Sequence, residues 1–195
     1  MFPLYIMSGG KSSRFGSDKA RALLHNKPLL RHVSDALAPL SSSTVVVADQ
    51  ADKYVDLGLV TIPDLSPHLG PMGGLQTALT HLSQVSAHEW CFLVSCDMVG
   101  FQSEWASALW KERTESAQAV AFGPDPWDSM FACYHRGLLE EVDRRIARGE
   151  RAMWRLLQEV GKAVSHPLGW ENVASVNSPE LLKQYLSQNG APSPE

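Results

Sequence analysis

The sequence is poor in two features that mark large classes of protein, cysteine and long apolar runs. It has three cysteines among 195 residues, Cys91, Cys96 and Cys133, and no C-x-x-C pair. An odd number of cysteines is a poor disulfide framework and the spacing is not that of a metal site, so we expect reduced core thiols in a cytoplasmic protein. No apolar run is long enough to span a membrane, and no secretion or lipidation signal is recognised.

The chain also lacks an excess of charge of one sign. It carries 17 Lys and Arg against 21 Asp and Glu, which gives a net charge of −4. Binding to nucleic acid is therefore not expected, and an anionic ligand must be held by local charge. With 44% hydrophobic residues, the chain can bury a sizeable core. We expect one domain, residues 1–187, followed by a flexible tail, residues 188–195.

A loop rich in glycine and cations follows the first apolar segment. Leu4–Met7 predicts a strand, and residues 8–19 then read Ser-Gly-Gly-Lys-Ser-Ser-Arg-Phe-Gly-Ser-Asp-Lys. Glycines let the backbone approach a ligand, backbone N–H groups can line an oxyanion, and Lys11, Arg14 and Lys19 supply compensating charge. A phosphate ester is the expected ligand. The spacing matches neither G-x-x-x-x-G-K-[ST] nor G-x-G-x-x-G, so a P-loop NTPase and a Rossmann dehydrogenase are disfavoured.

Strand and helix patterns alternate along the rest of the chain. This alternation predicts a single Rossmann-like, three-layer α/β domain with an open, mostly parallel sheet. The glycine-rich segment Gly70–Gly74 predicts a turn that precedes a helix. Further strands are predicted at Thr44–Ala48, Leu59–Ile62, Trp90–Ser95, Ala117–Phe122 and Ser129–His135.

Two aspartates follow predicted strands directly. Asp64 comes after the third predicted strand and Asp97 after the fourth. In open α/β sheets, ligands bind beyond the carboxyl ends of the strands. A carboxylate there, beside a phosphate loop, is a natural ligand for Mg²⁺. We therefore expect Asp97 to bind Mg²⁺ from a solvent-accessible strand end. For Asp64, a turn in which the carboxylate bonds its own backbone is an open alternative.

Four segments, spread over nearly the whole chain, resemble motifs of the MobA-like family of molybdenum cofactor guanylyltransferases. Residues 7–19 resemble L-A-G-G-x-S-x-R-M-G-x-D-K, residues 70–75 resemble G-P-L-A-G-[ML], residues 94–98 resemble the C-D-x segment, and residues 174–182 resemble N-x-N-T-P-E-[ED]-L. Two positions depart from the pattern. The family often has Asn where this chain has Ala48-Asp49, and the first Asn of the closing motif is Ser175.

The resemblance implies a Mg²⁺-dependent nucleotidyltransferase that moves GMP from GTP to the phosphate of a molybdopterin-type cofactor and releases pyrophosphate. It implies catalytic roles for Lys19, Arg14 and Asp97, with Asp97 as the metal ligand and Asn177 in the metal and substrate neighbourhood. Four glycines of the nucleotide set would leave room for a two-ring base. The implied nucleotide-binding residues are Met7, Ser8, Gly9, Gly10, Lys19, Asp64, Gly73, Gly74 and Asp97.

Several alternatives stay open. The first alternative is a related nucleotidyltransferase that uses CTP. The others are a nucleotidyltransferase for sugar phosphates and a nucleotide-binding regulatory protein without turnover. Lys19 and Asp97 argue against loss of catalysis. Arginines between 144 and 155 are candidates for docking the acceptor, a cofactor-delivering protein or an acceptor molybdoenzyme, or they form a solvated helix face. The segment Gly123–Asp128 lines an acceptor pocket or is a plain connection.

Overall fold

The structure of the protein is a computed structural model, and it describes residues 1–9 and 18–189. The described strands are β1 (Phe2–Met7), β2 (Leu23–Leu24), β3 (Lys27–Pro28), β4 (Ser41–Ala48), β5 (Val60–Pro63), β6 (Trp90–Ser95), β7 (Met98–Val99), β8 (Ala119–Phe122), β9 (Phe131–His135), β10 (Gly161–Val164) and β11 (Ala174–Ser175). The described helices are α1 (Leu29–Leu37), α2 (Pro71–Val85), α3 (Ser103–Lys111), α4 (Leu139–Ala147), α5 (Met153–Val160) and α6 (Pro179–Asn189).

Seven of these strands form the central sheet in the order β10-β8-β9-β6-β1-β4-β5. β1 pairs in parallel with β4 and β6, β4 pairs in parallel with β5, and β8 pairs in parallel with β10. β9 alone among them runs antiparallel to its two neighbours. The predicted open, mostly parallel α/β sheet is therefore confirmed. The carboxyl ends of the six parallel strands share one edge of the sheet.

Helices cover both faces of the sheet, because the central strands are apolar on both sides. In β1, Leu4 and Ile6 point into the core shared with α1 and α3, whereas Tyr5 and Met7 point into the core shared with α2, α4 and α5. This alternation follows from the two-residue period of a strand. All six residues of β1 are buried.

Two short strand pairs lie outside the central sheet. β2 and β3 form a hairpin before α1, and β7 pairs antiparallel with β11. The second pair brings the segment that precedes α6 against the chain that follows β6. It thereby places residues near 175 beside residues near 97.

Several boundaries and elements differ from the sequence-based expectation, and strand ends shift by one to three residues. The glycine-rich segment predicted as a turn forms the first turn of α2, which begins at Pro71. α6 continues to Asn189, past the predicted start of the tail at Gln188, and residues 190–195 lie outside the described residues. β10 was not predicted. None of its residues is fully buried, so the edge strand carries no continuous apolar run. Within residues 1–9 and 18–189, none of the helices has the length and apolar content needed to cross a bilayer.

Candidate active site

The candidate site lies at the shared carboxyl edge of the parallel strands. β1 runs directly into Ser8 and Gly9, β5 into Asp64, and β6 into Cys96 and Asp97. Backbone hydrogen bonds continue across this edge beyond the strands, since the N–H of Ser8 donates to the Val47 carbonyl over 2.9 Å and the N–H of Cys96 donates to the Met7 carbonyl over 3.0 Å. The starts of these loops are thereby fixed relative to one another.

Asp97 is buried at this edge and accepts hydrogen bonds from three side chains. Only 2% of the residue is exposed. Its Oδ2 accepts from the Lys19 ammonium over 2.7 Å and from the Ser175 hydroxyl over 2.8 Å, while the Ser95 hydroxyl donates to Oδ1. The expectation of a solvent-accessible carboxylate is therefore wrong. The chain around β11 covers Asp97, and the N–H of Val176 donates to the Asp97 carbonyl over 2.9 Å.

Lys19 joins Asp97 to Asn177. Its Nζ lies 2.7 Å from Asp97 Oδ2 and 3.0 Å from Asn177 Oδ1. Asn177 Nδ2 in turn donates to the Ser175 hydroxyl over 2.9 Å, which fixes the amide so that its oxygen faces the ammonium. The Lys19 side chain is 19% exposed. Three residues that the sequence placed in one site are thus in contact, and their individual roles stay predictions.

Asp64 adopts the turn arrangement that was left open as an alternative. Its Oδ1 accepts from the backbone N–H of Ser66 and from the hydroxyl of Thr77, each over 3.0 Å. Its own N–H donates to the Ala48 carbonyl over 2.6 Å. These bonds hold the connection between β5 and α2 against the sheet. A nucleoside contact for Asp64 stays a prediction.

Gly73 and Gly74 are buried in the first turn of α2, and the protein's own atoms fill the space beside them. A Cβ at Gly73 would lie 2.6 Å from the Ser66 carbonyl oxygen. A Cβ at Gly74 would lie 1.6 Å from the terminal methyl of Met7. The Cβ side of both glycines is therefore filled by the protein itself, and a contact between these glycines and a nucleotide stays a prediction. The glycines let the helix approach β1 and the loop before it.

The backbone groups of the first loop are partly used within the protein. The Met7 carbonyl and the Ser8 N–H take part in the bonds across the sheet edge described above. At Gly9, a Cβ would meet no atom within 4 Å, so this residue faces open space among the described atoms. Gly10 and Arg14, the other predicted residues of the loop, lie outside the described residues, as does Lys11.

Sequence reasoning missed Tyr54, which contacts both Ser8 and Asp18. The side chain is buried, and its hydroxyl lies 2.6 Å from the Ser8 hydroxyl and 3.0 Å from Asp18 Oδ2. Nearby, the Lys53 ammonium lies 2.7 Å from Asp49 Oδ1 and holds the pKa of Asp49 below its usual range through that hydrogen bond. No local sequence pattern marks Tyr54, because its partners are distant in the chain.

Beyond β8, Asp128 lies against His166. The Asp128 carboxylate contacts Nε2 of His166, which follows β10. The His166 ring also lies 5.7 Å from the Trp170 ring. Because β8 and β10 run parallel to β6, this pair stands at the same edge of the sheet as Asp97. The segment Gly123–Asp128 therefore lies at the same edge of the sheet as Asp97, and its part in an acceptor pocket stays a prediction.

One arginine of the arginine-rich segment is buried and paired within the protein. Arg145 is only 3% exposed and forms ion pairs with Glu141, Glu150 and Glu159. Arg144 bonds the Glu140 carbonyl on its own helix. The contacts favour a structural role for Arg145, whereas Arg144 is 62% exposed and the docking alternative stays open for the exposed arginines of the segment.

Comparisons with known proteins show the family of the chain. Residues 4–168 match the model of the MobA-like NTP transferase domain. A probable molybdenum cofactor guanylyltransferase of Deinococcus radiodurans is 35% identical over 202 aligned residues, with all of both chains covered. The chain belongs to the MobA-like NTP transferase family. The resemblance to the MobA-like family that the sequence motifs indicated is thereby confirmed, as is the prediction that the protein is a nucleotidyltransferase.

Further relatives extend the similarity within the family. The molybdenum cofactor guanylyltransferase of Vibrio vulnificus is 29% identical over 184 residues, which cover 92% of each chain. The crystal structure of molybdopterin-guanine dinucleotide biosynthesis protein A from Archaeoglobus fulgidus superposes with a TM-score of 0.77 at 22% identity, over 96% of this chain and 98% of that one. The family model ends at residue 168, so Asn177 lies beyond it but within the full-length alignment to the D. radiodurans relative.

Proposed function

We propose that the protein transfers GMP from GTP to the phosphate of a molybdopterin-type molybdenum cofactor and releases pyrophosphate. The family and the names of its full-length relatives support this substrate pair. The structural observation that carries it is the contact of Lys19 with both Asp97 and Asn177 at the edge of the sheet where β1 and β6 end. This arrangement combines a cation for phosphate oxygens with oxygen ligands for a metal.

The reaction needs positioning and charge neutralisation more than covalent help. A monoester oxygen of the acceptor attacks the α-phosphorus of GTP, the bond from that phosphorus to the bridging oxygen breaks, and the electron pair leaves with pyrophosphate. A phosphate monoester is largely a dianion at neutral pH, so the attacking oxygen needs no general base. We assign Lys19 to the phosphates of the donor, where its ammonium offsets the charge that develops on the leaving group.

The residues around Asp97 fit a magnesium ion. Mg²⁺ prefers hard oxygen ligands, and it commonly takes one or two carboxylates together with substrate phosphates and water. The Asp97 carboxylate and the Asn177 amide oxygen already converge on one positive charge, the Lys19 ammonium. We assign both oxygens to the metal. When bound, Mg²⁺ would supply charge neutralisation to the phosphate oxygens.

The acceptor is assigned to the half of the sheet edge formed by β6, β8 and β10. Asp128 and His166 contact each other there, beside the Trp170 ring. These polar and aromatic side chains are of the kinds that could bind the ring system of the acceptor. The other half, at β1, β4 and β5, is left for the nucleotide.

A cytoplasmic location is part of the same proposal. All three cysteines are free and buried. Buried free thiols require no oxidising compartment, and molybdenum cofactor chemistry named for the relatives fits a reducing one. A cofactor-delivering protein or an acceptor molybdoenzyme would be a further partner.

The function is tested by pyrophosphate release from each of the four nucleoside triphosphates, with and without molybdopterin-type cofactor. We expect turnover only with the cofactor, and GTP should exceed CTP and ATP by at least about tenfold in turnover efficiency. That ratio corresponds to about 1.4 kcal/mol, which one lost buried hydrogen bond supplies. A preference for CTP would replace the guanylyl assignment. Turnover with a sugar phosphate, or none with any acceptor, would contradict the proposed acceptor.

A further inference from the structure

A single buried hydroxyl links the two sides of the glycine- and cation-rich loop. Tyr54 lies between β4 and β5, and the residue has no exposed surface, with a relative accessibility of 0%. Its hydroxyl lies 2.6 Å from the Ser8 hydroxyl, at the start of the loop, and 3.1 and 3.0 Å from the two carboxylate oxygens of Asp18, at its end. Residues 8 and 18 therefore meet at one atom.

The hydrogen-bond capacity of Tyr54 matches these contacts. A phenol has one proton to donate and can also accept. Because Asp18 as a carboxylate only accepts, Tyr54 donates to Asp18 and accepts from the Ser8 hydroxyl. Burial raises the pKa of Tyr54, so the hydroxyl keeps the proton that this arrangement uses.

The contact extends from Asp18 to Lys19. Asp18 Oδ1 accepts from the N–H of Ala20 over 3.1 Å and so caps the short helix Lys19–Arg21. A side-chain cap fixes the first turn of the helix that follows. Lys19 is the first residue of this turn, and its ammonium reaches Asp97 at the sheet edge. The position of Lys19 is thus set from the backbone by Asp18, and Asp18 is held by Tyr54.

Two cationic side chains lie beside Asp18 and the Tyr54 ring. The Lys53 ammonium lies 3.5 Å from Asp18 Oδ2 and 5.5 Å from the centre of the Tyr54 ring. The Arg21 guanidinium lies 5.3 Å from the ring centre, and its Nε lies 3.7 Å from Asp18 Oδ2. The charge of Asp18 is therefore balanced within the protein, which leaves Lys19 available for Asp97 and a ligand.

We propose that Tyr54 is a positioning residue for nucleotidyl transfer: it ties the two ends of the phosphate loop together and, through Asp18, sets the place of Lys19. This inference rests on the proposed function for the identity of the reaction. The inference goes beyond the proposed function because that function assigns Tyr54 no contact with substrate or metal.

The variant Tyr54→Phe removes the hydroxyl and keeps the ring in the core. The matched control is Tyr5→Phe. Tyr5 is equally buried, but its hydroxyl bonds Nδ1 of His81 on α2 over 2.8 Å, away from the loop. Each variant is compared with the wild type in kcat, in KM for the nucleotide and in thermal unfolding, with whichever nucleoside triphosphate the wild type uses best.

We expect Tyr54→Phe to lower kcat/KM about tenfold, the size of effect that the loss of one hydrogen bond to a charged group produces. Most of the loss should fall on kcat, because Lys19 acts on charge that develops during the reaction. Tyr5→Phe should stay within about twofold of the wild type while losing a similar amount of thermal stability. Equal kinetic effects of the two variants would overturn the inference.

A second variant separates positioning from general packing. Asp18→Asn weakens the contact with Tyr54 but keeps an oxygen that can cap the helix. If both residues act along one path, the double variant should be no more than about twofold worse than the worse single variant. Independent, multiplicative losses would contradict the inference. A wild type that prefers another nucleotide than GTP would count against the proposed function alone.

Discussion

Replacing Asp97 tests the centre of the site, and the structure changes how the test must be designed. Because the carboxylate is buried and accepts from Lys19, Ser95 and Ser175, Asp97→Ala removes three hydrogen bonds at once. An activity loss in that variant would not distinguish a reactive role from partial unfolding. Asp97→Asn keeps the shape and one acceptor oxygen, so it isolates the charge.

The two variants should differ widely in stability. Removing one partner of a buried pair costs about 3–5 kcal/mol, but the Lys19 side chain is 19% exposed and can reach water. We therefore expect Asp97→Ala to lose about 2–4 kcal/mol, since the two hydroxyls also lose their acceptor. For a chain of this size, each kcal/mol shifts Tm by about 2–4 °C, which gives about 4–16 °C. Asp97→Asn should lose about 1 kcal/mol.

The activity of Asp97→Asn is easier to interpret than that of Asp97→Ala, because Asp97→Asn should keep more of its stability. Pyrophosphate release is measured at saturating GTP, acceptor and Mg²⁺, below the melting range of both variants. We expect Asp97→Asn to lower kcat by at least about 100-fold with most of its stability kept, because a neutral amide neither binds Mg²⁺ as a carboxylate does nor balances Lys19. Wild-type turnover in Asp97→Asn would refute the assigned role.

Three further outcomes are expected. Lys19→Ala should lower kcat for GTP more than it raises KM, with Lys183→Ala on the exposed face of α6 as the unaffected control; a change in KM alone would contradict the assignment. Gly73→Ala should lower the free energy of unfolding by about 1–3 kcal/mol in denaturant titration, because the backbone carbonyl of Ser66 must move away from the new Cβ, and an unchanged value would show that the connection before α2 shifts freely. Burial raises the pKa of Cys91 to about 12, and all three cysteines are buried, so the native protein should resist iodoacetamide at pH 8 while the denatured chain is alkylated; rapid alkylation of the native chain would contradict that burial.

The central fold could be predicted because its strands are buried on both faces. Runs such as Leu4–Met7 and Trp90–Ser95 are apolar at every position or nearly so, which in a parallel sheet is a strong signal. β10 gave no such signal, since Gly161 and Lys162 begin a strand at the edge of the sheet that needs no continuous apolar run. The short pairs β2–β3 and β7–β11 were missed because two-residue strands have no periodicity.

The site could be predicted only where a residue's place follows from its own strand. Asp97 was assigned to the sheet edge because it follows β6, and this placement is confirmed. Its burial could not be predicted, because the cover comes from β11, nearly eighty residues later in the chain. The same holds for Tyr54, whose partners Ser8 and Asp18 lie 46 and 36 residues away.

The glycines of α2 show how a motif can be recognised while its physical reason is misjudged. A glycine in a sequence indicates that a side chain is missing, but it does not indicate which neighbour fills the space. At Gly74 the neighbour is the methyl group of Met7, and at Gly73 it is the Ser66 carbonyl. Packing alone therefore explains the missing side chains at these two positions, and their contact with a nucleotide stays a prediction. Among the described residues, a Cβ at Gly9 would meet no atom within 4 Å, so Gly9 is the predicted glycine whose missing side chain is not explained by the packing of the described chain.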